Sequence, residues 1–331
     1  MPTPLLVACI DTLLPVITKI INLSLQNGIF ADQWKCALVH PLLKKLGLEL
    51  IFQNFRPVSN LQYISKLTEK AVFIQTHGQM ATNSIYPELQ SSYRVHQSTE
   101  TALLKVINDV LLKMNSQHLT LLILLDLSAA FDMVDHSRLT KDVGLQGKAH
   151  DWFRSYLSGR SQRVAIDGSM SMEFSLDCGV PQGSCLDPLL FVIYTSSLFK
   201  IIERHLPQVH CYADYTQLYL SFRPDHDDTQ DVAHRPMEAC IKDIRKWMVD
   251  GRLLLNDTKT EFLVIGTRQQ LSKLRSSSIE VGNQKIDRSS SVRNLGVMLD
   301  ESLGMNSHIN QICKASQIGR ASCRERVLRL V

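Results

Sequence analysis

A nearly continuous apolar run from Leu119 to Leu127 (LTLLILLDL) constrains the fold of this 331-residue chain more than any other feature. The run is short, lacks a regular alternation of polar and apolar residues, and leads into the small residues 128–130. This pattern is typical of a β-strand that is buried on both faces. Asp126 lies near the end of the run, so the predicted strand places a carboxylate in apolar surroundings.

A second carboxylate, that of Asp214, lies in a similar setting. Two β-prone runs, Val209–Tyr212 and Thr216–Phe222, predict a tight hairpin with Asp214 at its turn. A buried carboxylate without a partner is costly and two close carboxylates repel, so such a pair commonly shares a divalent cation, and oxygen ligands favour Mg²⁺. Taken singly, each aspartate is more simply explained by a cap or a salt bridge, and on the residues alone both explanations stay open.

The rest of the chain alternates predicted strands with amphipathic helices, which predicts an α+β or α/β architecture. The predicted helices are 12–26, ended by Asn27-Gly28; Thr99–Asn115, with Ser98 as N-cap; Trp152–Leu157; Leu189–Ile202; and 237–247, ended by Gly251. The predicted strands are Trp34–Leu43, Gln162–Ile166, Glu173–Leu176 and Phe262–Ile265, with Asp167-Gly168 as the hairpin turn between the second and third. Residues 223–235 are predicted to form a loop.

Composition narrows the class of protein only moderately. The net charge of +4 permits a nucleic-acid partner, although dedicated DNA-binding domains are usually more basic. The eight cysteines show no C-x-x-C spacing, which predicts reduced, buried thiols in an intracellular protein. Asp11 and Lys19 interrupt the apolar stretch 5–25, which therefore predicts an amphipathic helix and no membrane span.

A series of short motifs occurs in order along the chain. They are NFRPVS (Asn54–Ser59), HQSTETAL (His96–Leu103), LDLSAAFD (Leu125–Asp132), GVPQGS (Gly179–Ser184), YAD (Tyr212–Asp214), KTE (Lys259–Glu261) and VRNLGV (Val292–Val297). From its first helix to about residue 316 the chain thereby resembles the reverse transcriptases of LINE-like (non-LTR) retrotransposons. A single motif of this kind is a weak signal, whereas the ordered series is highly specific.

The resemblance implies an α+β right-hand polymerase fold with fingers, a palm built on an antiparallel sheet with flanking helices, and a truncated thumb. It also implies a reaction in which a primer 3′-hydroxyl attacks the α-phosphate of a dNTP opposite an RNA template. The predicted divisions are 1–34 as an N-terminal amphipathic helix region, 35–118 as fingers, 119–266 as palm with inserted finger elements, 267–317 as the palm-to-thumb segment, and 318–331 as a non-native tail.

The same resemblance implies roles for individual side chains. Asp126 and Asp214 are expected to bind Mg²⁺, with Mn²⁺ as a substitute, in a site for two metal ions roughly 4 Å apart. Lys259 is expected to act as the acid near the leaving pyrophosphate, and a plain surface lysine is an equally good interpretation of it.

The expected dNTP-binding residues are drawn from three motifs and the basic turn before them. Arg56 and, less securely, Lys45 are expected to hold the triphosphate, Phe131 to lie under the sugar and exclude a 2′-hydroxyl, and Gln182 and Gly183 to approach the nascent base pair. The competing interpretations are a solvated basic turn, an ordinary core phenylalanine and a plain strand-to-helix loop.

Several departures from the family pattern predict a damaged copy. Tyr215 stands where the family has a second aspartate, and a phenol is a poor Mg²⁺ ligand. Asp187 replaces a usual glycine, Leu46 replaces a usual proline, and the stretch 136–152 is several residues shorter than expected.

The first hypothesis is therefore an RNA-directed DNA polymerase module of reduced activity. The second is a catalytically inactive remnant of the same fold that binds nucleic acid.

The resemblance ends near Ile318, where the sequence IGRASCRERV looks like a translated sequencing adapter. We therefore expect residues 318–331 not to be native.

The expected partners are an RNA template, a DNA primer and dNTPs, with an upstream endonuclease domain on a longer polyprotein. The expected location is intracellular, in the nucleus and cytoplasm as a ribonucleoprotein.

Overall fold

A computed structural model describes residues 7–45, 47–128, 132–142, 144–205, 208–225, 229–275, 278–282 and 284–316. It combines helices with largely antiparallel sheets, so the predicted α+β class is confirmed. The chain divides into two compact units. The first unit comprises Met1–Pro87, Ala129–Ser197 and Val249–Leu253, and the second comprises Glu88–Ser128, Leu198–Met248 and Leu254–Val331.

The helices and strands are numbered in chain order. The helices are α1 (Ile10–Asn27), α2 (Tyr63–Thr82), α3 (Thr99–Asn115), α4 (His136–Asp142), α5 (Gly147–Leu157), α6 (Asp187–Ile202), α7 (Thr229–Asp250) and α8 (Arg268–Leu271), and residues 306–316 are also helical. The strands are β1 (Cys36–Leu43), β2 (Phe55–Asn60), β3 (Leu119–Leu125), β4 (Leu127–Ser128), β5 (Arg160–Ile166), β6 (Ser169–Met170), β7 (Phe174–Leu176), β8 (Val209–Tyr212), β9 (Tyr215–Phe222), β10 (Leu254–Leu255), β11 (Glu261–Ile265), β12 (Ser278–Val281), β13 (Gln284–Asp287), β14 (Ser291–Asn294) and β15 (Val297–Asp300).

The second unit is built around β3. Its sheet has the order β11-β3-β9-β8, and every pair of neighbours is antiparallel. Leu122 lies opposite Leu263 on one side and opposite Tyr219 on the other, so β3 is paired along both edges. All seven residues of β3 are buried, which confirms the prediction of a strand enclosed on both faces.

One apolar cluster covers the sheet of the second unit. It contains residues from α3, β3, β9, β11 and the β14–β15 hairpin: Val106, Val110, Leu122, Leu124, Tyr219, Leu263, Ile265, Val292 and Leu299. Helix α3 begins at the predicted N-cap Ser98, whose hydroxyl accepts a hydrogen bond from Thr101 N at 3.3 Å. The cap fixes where the helix starts, and the apolar stripe that contains Val106 and Val110 packs in the cluster with β3.

The first unit contains a second sheet, in which β1 pairs antiparallel with β2 and parallel with β5. The predicted Asp167-Gly168 turn is present, and both residues have positive φ, 47° and 82°. It joins β5 to β6, however, so the predicted direct hairpin to Glu173–Leu176 is wrong. That segment forms β7 and pairs with the opposite end of β5, beside Arg160–Gln162. Turn residues determine where the chain reverses direction, but they do not determine how many residues of the following segment pair with the preceding strand.

An aromatic cluster forms the core between α1 and α5 in the first unit. Phe30 contacts Trp34, Trp152 and Tyr156 edge-to-face, with ring centroids 5.0–5.5 Å apart. Helix α1 stops at the predicted Gly28, where φ is 68° and a Cβ atom would lie 2.9 Å from Lys148 O. Glycine thus allows both the left-handed turn and the close approach to α5.

Three sequence-based expectations need correction. Residues 229–235, predicted as part of a loop, lie in α7: Asp231 and Arg235 are exposed on the helix, whereas Gln230 and His234 are buried. Helix α2 was not predicted, because its buried face carries the polar residues Ser65, Thr68 and Glu69. Cys9 and Cys313 are exposed, so the thiols are not uniformly buried. Among the described residues, no helix is long and apolar enough to cross a membrane.

Buried polar side chains in the first unit hold the loop that precedes α6. Glu69 Oε2 accepts hydrogen bonds from Ser184 Oγ at 2.7 Å and from Cys185 N at 3.0 Å, and Asp187 Oδ2 accepts one from Ser184 N at 3.2 Å. Tyr156 OH lies 2.8 Å from Ser184 Oγ. Asp187 Oδ1 has no hydrogen-bond partner within the described part of the chain. Two carboxylates therefore share one buried site.

Burial, and next the Glu69 carboxylate, raise the pKa of Asp187 to about 8, although the buried Arg160 acts in the opposite direction. The pKa of Asp187 in the folded chain thus lies above its unfolded value of about 3.9. Stability from protonated Asp187 is therefore complete below about pH 4 and is lost as the pH rises toward 8.

Asp187→Asn should stabilise the chain increasingly from pH 4 to pH 8, because asparagine has the same shape and cannot ionise. The expected gain in thermal midpoint at pH 8 is about 4 °C or more, measured by circular dichroism melting. Asp177→Asn, at an exposed position of the same unit, is the matched control and should change little. An offset between Asp187→Asn and wild type that is constant with pH would contradict the assignment.

Candidate active site

The hairpin predicted around Asp214 is present. Strands β8 and β9 are joined by Ala213 and Asp214 alone, and Tyr212 lies opposite Tyr215 in the register. Strand β9 therefore begins one residue before the predicted Thr216. Ala213 adopts a φ of 55°, in the left-handed region, which turns the chain sharply enough to place Asp214 at the tip.

The two aspartates meet at one edge of the second unit's sheet. Asp126 follows β3 and is only 7% exposed, and its carbonyl accepts a hydrogen bond from Asn256 N at 2.9 Å. Because Leu125 lies opposite Thr216 in the register, the end of β3 is adjacent to the hairpin. Burial raises the pKa of Asp214, and the Asp126 carboxylate raises it further. The structure thus brings together the two carboxylates that the sequence singled out.

Lys259 supplies positive charge at this edge. It ends the 3₁₀ turn Asp257–Lys259 that leads into β11, and its Nζ lies 2.9 Å from Asp126 Oδ2. The hydrogen bond to Asp126 raises the pKa of Lys259, so the group stays an ammonium. Its side chain is 66% exposed, so this ion pair contributes little to stability. Its importance lies in placing a proton donor beside the carboxylates.

Tyr215 occupies the position next to Asp214. The residue is 42% exposed. Burial raises the pKa of Tyr215 above its ordinary value, and the carboxylates of Asp126 and Asp214 raise it further. The side chain is therefore a neutral phenol near pH 7 and does not add a third anionic oxygen to the edge.

A cavity of about 620 Å³ opens over these groups. Besides Asp126, Asp214, Tyr215 and Lys259, its lining includes Thr99, Thr258, Glu261, Arg293, Leu295 and Gly296. Sequence reasoning quoted Glu261 and Arg293 within motifs but gave them no role. The sequence does carry a signal, because each is a charged residue beside an apolar one, Phe262 or Val292, in a short β-prone segment.

The carboxylates of Asp126 and Asp214 suit a cation that takes most of its ligands from groups other than protein side chains, such as substrate phosphates. Within the described ranges, no group of three or more His, Cys, Asp or Glu side chains could hold a metal ion. Asp126 is buried and Asp214 is partly buried, and their carboxylates offer four oxygens whose mutual repulsion favours a bound cation. Mg²⁺ typically binds through one or two carboxylates together with substrate phosphates, so the residues present fit such an ion.

The predicted triphosphate ligands belong to the first unit. Arg56 lies in β2 opposite Leu42 and is exposed, and Lys45 is exposed just after β1. Lys44 N donates a hydrogen bond to Asn54 O at 2.8 Å, which closes the connection between β1 and β2. Arg56 and Lys45 therefore lie on the same hairpin. Phe131 lies outside the described residues.

The predicted loop residues Gln182 and Gly183 also belong to the first unit. Gln182 Nε2 donates to Asp132 Oδ1 at 3.1 Å, and its carbonyl accepts from Ser59 N at 2.8 Å. Gly183 has a φ of 112°, and a Cβ atom there would lie 3.0 Å from Ser59 O. The loop therefore packs tightly on β2, and the glycine is needed for that contact.

A separate apolar cavity of about 460 Å³ lies in the first unit, lined by residues that include Leu25, Val72, Met80, Trp152 and Ile193. None of the predicted site residues lines it. The carboxylate cavity is therefore the better candidate for chemistry, because titratable groups with shifted pKa values converge there.

Residues 43–299 match the family model described as reverse transcriptase (RNA-dependent DNA polymerase). The chain is similar to the Drosophila melanogaster protein named "Probable RNA-directed DNA polymerase from transposon X-element", with 26% identity over 309 residues, covering 89% of this chain and 32% of that protein. It is also similar to the RNA-directed DNA polymerase from mobile element jockey of the same organism, with 23% identity over 318 residues and coverages of 92% and 33%. The chain thus spans about a third of the length of these relatives.

Among solved structures, the chain resembles apo telomerase from Candida tropicalis truncated from its C-terminal domain. The TM-score is 0.51 at 11% identity, and the match covers 82% of this chain and 56% of that one. At this identity the likeness concerns the fold alone.

Tyr215→Asp should make the stability of the chain depend more strongly on divalent cations, because it adds a third carboxylate beside Asp126 and Asp214. In EDTA its thermal midpoint should fall below that of wild type by a few degrees, on the order of 1 kcal/mol. Millimolar Mg²⁺ or Mn²⁺ should raise the variant's midpoint more than that of wild type.

The matched control is Tyr63→Asp, which makes the same replacement at an exposed position of the first unit. Its midpoint should respond to cations as wild type does. If both variants respond equally, the three positions do not form a cation site.

Proposed function

Because the chain belongs to the reverse transcriptase (RNA-dependent DNA polymerase) family, we propose that it acts as the RNA-directed DNA polymerase module of a LINE-like retrotransposon, with activity lowered by Tyr215. The family match and the likeness to telomerase confirm the right-hand polymerase fold class that the motifs implied. The predicted finger, palm and thumb boundaries stay predictions.

One observation carries the proposal: Asp126 and Asp214 share an edge of the sheet, with Lys259 bonded to Asp126. Asp126 and Asp214 would hold Mg²⁺ or Mn²⁺, which would supply charge stabilisation for nucleotidyl transfer. Lys259 Nζ, protonated beside Asp126, would donate a proton to the leaving pyrophosphate. Catalysis then consists mainly of positioning and charge compensation.

The remaining proposed roles concern the dNTP. Arg56 and Lys45 bind its triphosphate, since both are exposed cations on the β1–β2 hairpin. Gln182 and Gly183 support the nascent base pair from a loop fixed against Ser59. For Phe131, which lies outside the described residues, exclusion of a 2′-hydroxyl stays a role that only the family resemblance implies.

The proposed partners are an RNA template, a DNA primer and dNTPs. An upstream endonuclease domain on a longer polyprotein, which the family resemblance implies, stays part of the proposal. The protein acts as a ribonucleoprotein in the nucleus and cytoplasm.

A second candidate function is a catalytically inactive remnant that still binds nucleic acid. Tyr215 supports this alternative, because a neutral phenol replaces an expected ligand oxygen at the hairpin. The loss of one preorganised electrostatic group typically lowers a rate about 10²- to 10³-fold. Template binding does not depend on that group, so it would persist.

Primer extension on an RNA template separates the two functions. In Mg²⁺ or Mn²⁺ the wild-type chain should extend a DNA primer slowly, and Tyr215→Asp should raise the rate about 10²-fold because it restores a carboxylate. Extended products are resolved on denaturing gels, and binding of labelled primer–template is followed by fluorescence anisotropy.

Asp126→Asn should abolish extension in both backgrounds without weakening primer–template binding. Wild-type extension as fast as that of Tyr215→Asp would show that Tyr215 does not impair the chain. Binding without extension in every variant would favour the inactive remnant.

Arg56→Ala, made in the Tyr215→Asp background, should raise KM for dNTP about 10- to 100-fold with a smaller change in kcat. The reason is that it removes a charge-assisted hydrogen bond to the triphosphate. Steady-state single-nucleotide incorporation measures both constants. Arg154→Ala, at an exposed arginine of the same unit, is the control and should leave KM unchanged. Equal KM values for Arg56→Ala and its parent would remove Arg56 from the dNTP site.

A further inference from the structure

The segment before α3 extends the edge of the second unit's sheet. Cys211 N donates to Leu89 O at 2.8 Å, and Ser91 N donates to Cys211 O at 3.0 Å. Gln90 thereby pairs with Cys211 in a parallel bridge beside β8. This bridge fixes the backbone of Gln90 beside Cys211, which lies two residues before Ala213 in the turn that carries Asp214.

A side-chain contact secures the same segment. Ser91 Oγ lies 2.9 Å from His210 Nε2, and both residues are buried. Ser91 Oγ also donates to Gln97 Oε1 at 3.2 Å, close to the N-cap of α3. The segment is therefore anchored both to β8 and to the start of a core helix, so Gln90 has a rigid base.

The Gln90 side chain contacts both polar backbone groups of Ala213. Its Oε1 accepts from Ala213 N at 3.1 Å, and its Nε2 donates to Ala213 O at 3.4 Å. Gln90 is 1% exposed, and its Oε1 also accepts from Ser92 N at 3.1 Å and Ser92 Oγ at 2.8 Å. The carbonyl that it holds belongs to the peptide bond between Ala213 and Asp214.

Ala213 needs such support. Its φ of 55° is a left-handed conformation that a side chain with a Cβ atom disfavours. The turn contains only Ala213 and Asp214, so a change at Ala213 would rotate the Asp214 carboxylate relative to Asp126. An amide is the side chain that fits here, because it presents one acceptor and one donor to the two groups of a single residue.

We infer that Gln90 is a positioning residue of the cation site, which holds the Ala213 turn so that Asp214 faces Asp126. The inference rests on the proposed function, in which those two carboxylates bind the divalent ion. Gln90 does not touch the cation or the substrate. It acts through the backbone of Ala213.

Terbium(III) binding to the full wild-type chain tests this role without requiring polymerase activity. Terbium prefers oxygen ligands, and Tyr212 and Tyr215 line the same cavity as the carboxylates, so excitation of tyrosine should sensitise its emission. Gln90→Met keeps the length of the side chain and removes both hydrogen bonds to Ala213. It should raise the terbium dissociation constant about 10- to 100-fold.

A rescue variant distinguishes positioning from general structural support. Glycine adopts a positive φ without steric cost, so Ala213→Gly added to Gln90→Met should recover most of the lost affinity. Gln230→Met is the matched control, since Gln230 is a buried glutamine of the same unit whose Oε1 accepts from Arg275 N. It should lower the thermal midpoint as Gln90→Met does and leave terbium affinity unchanged.

Gln90→Asn provides a second variant if Gln90→Met does not fold, because it keeps an amide that is too short to reach both groups of Ala213. Unchanged terbium affinity in a folded Gln90 variant overturns the inference, as does a loss that Ala213→Gly fails to reverse. Asp126→Asn identifies failure of the proposed function instead. If wild-type terbium binding is absent or survives Asp126→Asn, the cation site itself is wrong.

Discussion

The pairing of β3 along both edges, while both of its faces are buried, is the constraint on which the candidate site depends. Strand β3 ends at Leu125, and Asp126 follows it directly. The Asp126 side chain is therefore buried, with 7% of its surface exposed. Burying its charge without a compensating partner would cost several kcal/mol. Lys259, brought in by the strand on one side, and the Asp214 hairpin, brought in by the strand on the other, are held by the same ladder of backbone hydrogen bonds.

Much of this ladder could be predicted from the sequence, because its signals are local. The apolar run gave β3, Ser98 marked the start of α3, and the β-prone runs around Asp214 gave the hairpin. Local sequence signals fail to predict an element where polar side chains are buried. Helix α2 buries Ser65, Thr68 and Glu69, so its periodicity is masked, and β5 divides its pairing between β6 and β7 although only one turn is marked in the sequence.

The candidate site divides in the same way. Asp126, Asp214 and Lys259 belong to motifs, and the structure brings all three to one cavity. The groups that hold the motif segments in place could not be predicted. Glu69 bonds Ser184 across 115 residues, and Gln90 bonds Ala213 across 123. A buried glutamate or glutamine has no periodic pattern that distinguishes it from a solvated one, so only the fold reveals its partner.

Tyr215 separates the stability of the site from its chemistry. A carboxylate at this position would be the third near Lys259, and it would repel the carboxylates of Asp126 and Asp214. A half-exposed phenol removes that repulsion and keeps the strand pairing with Tyr212. In the proposed function the same phenol takes the place of a cation ligand, so lower repulsion and weaker cation binding have one cause. Active sites commonly sacrifice stability for function, and the sheet that presents Asp126 and Asp214 forms without a carboxylate at position 215.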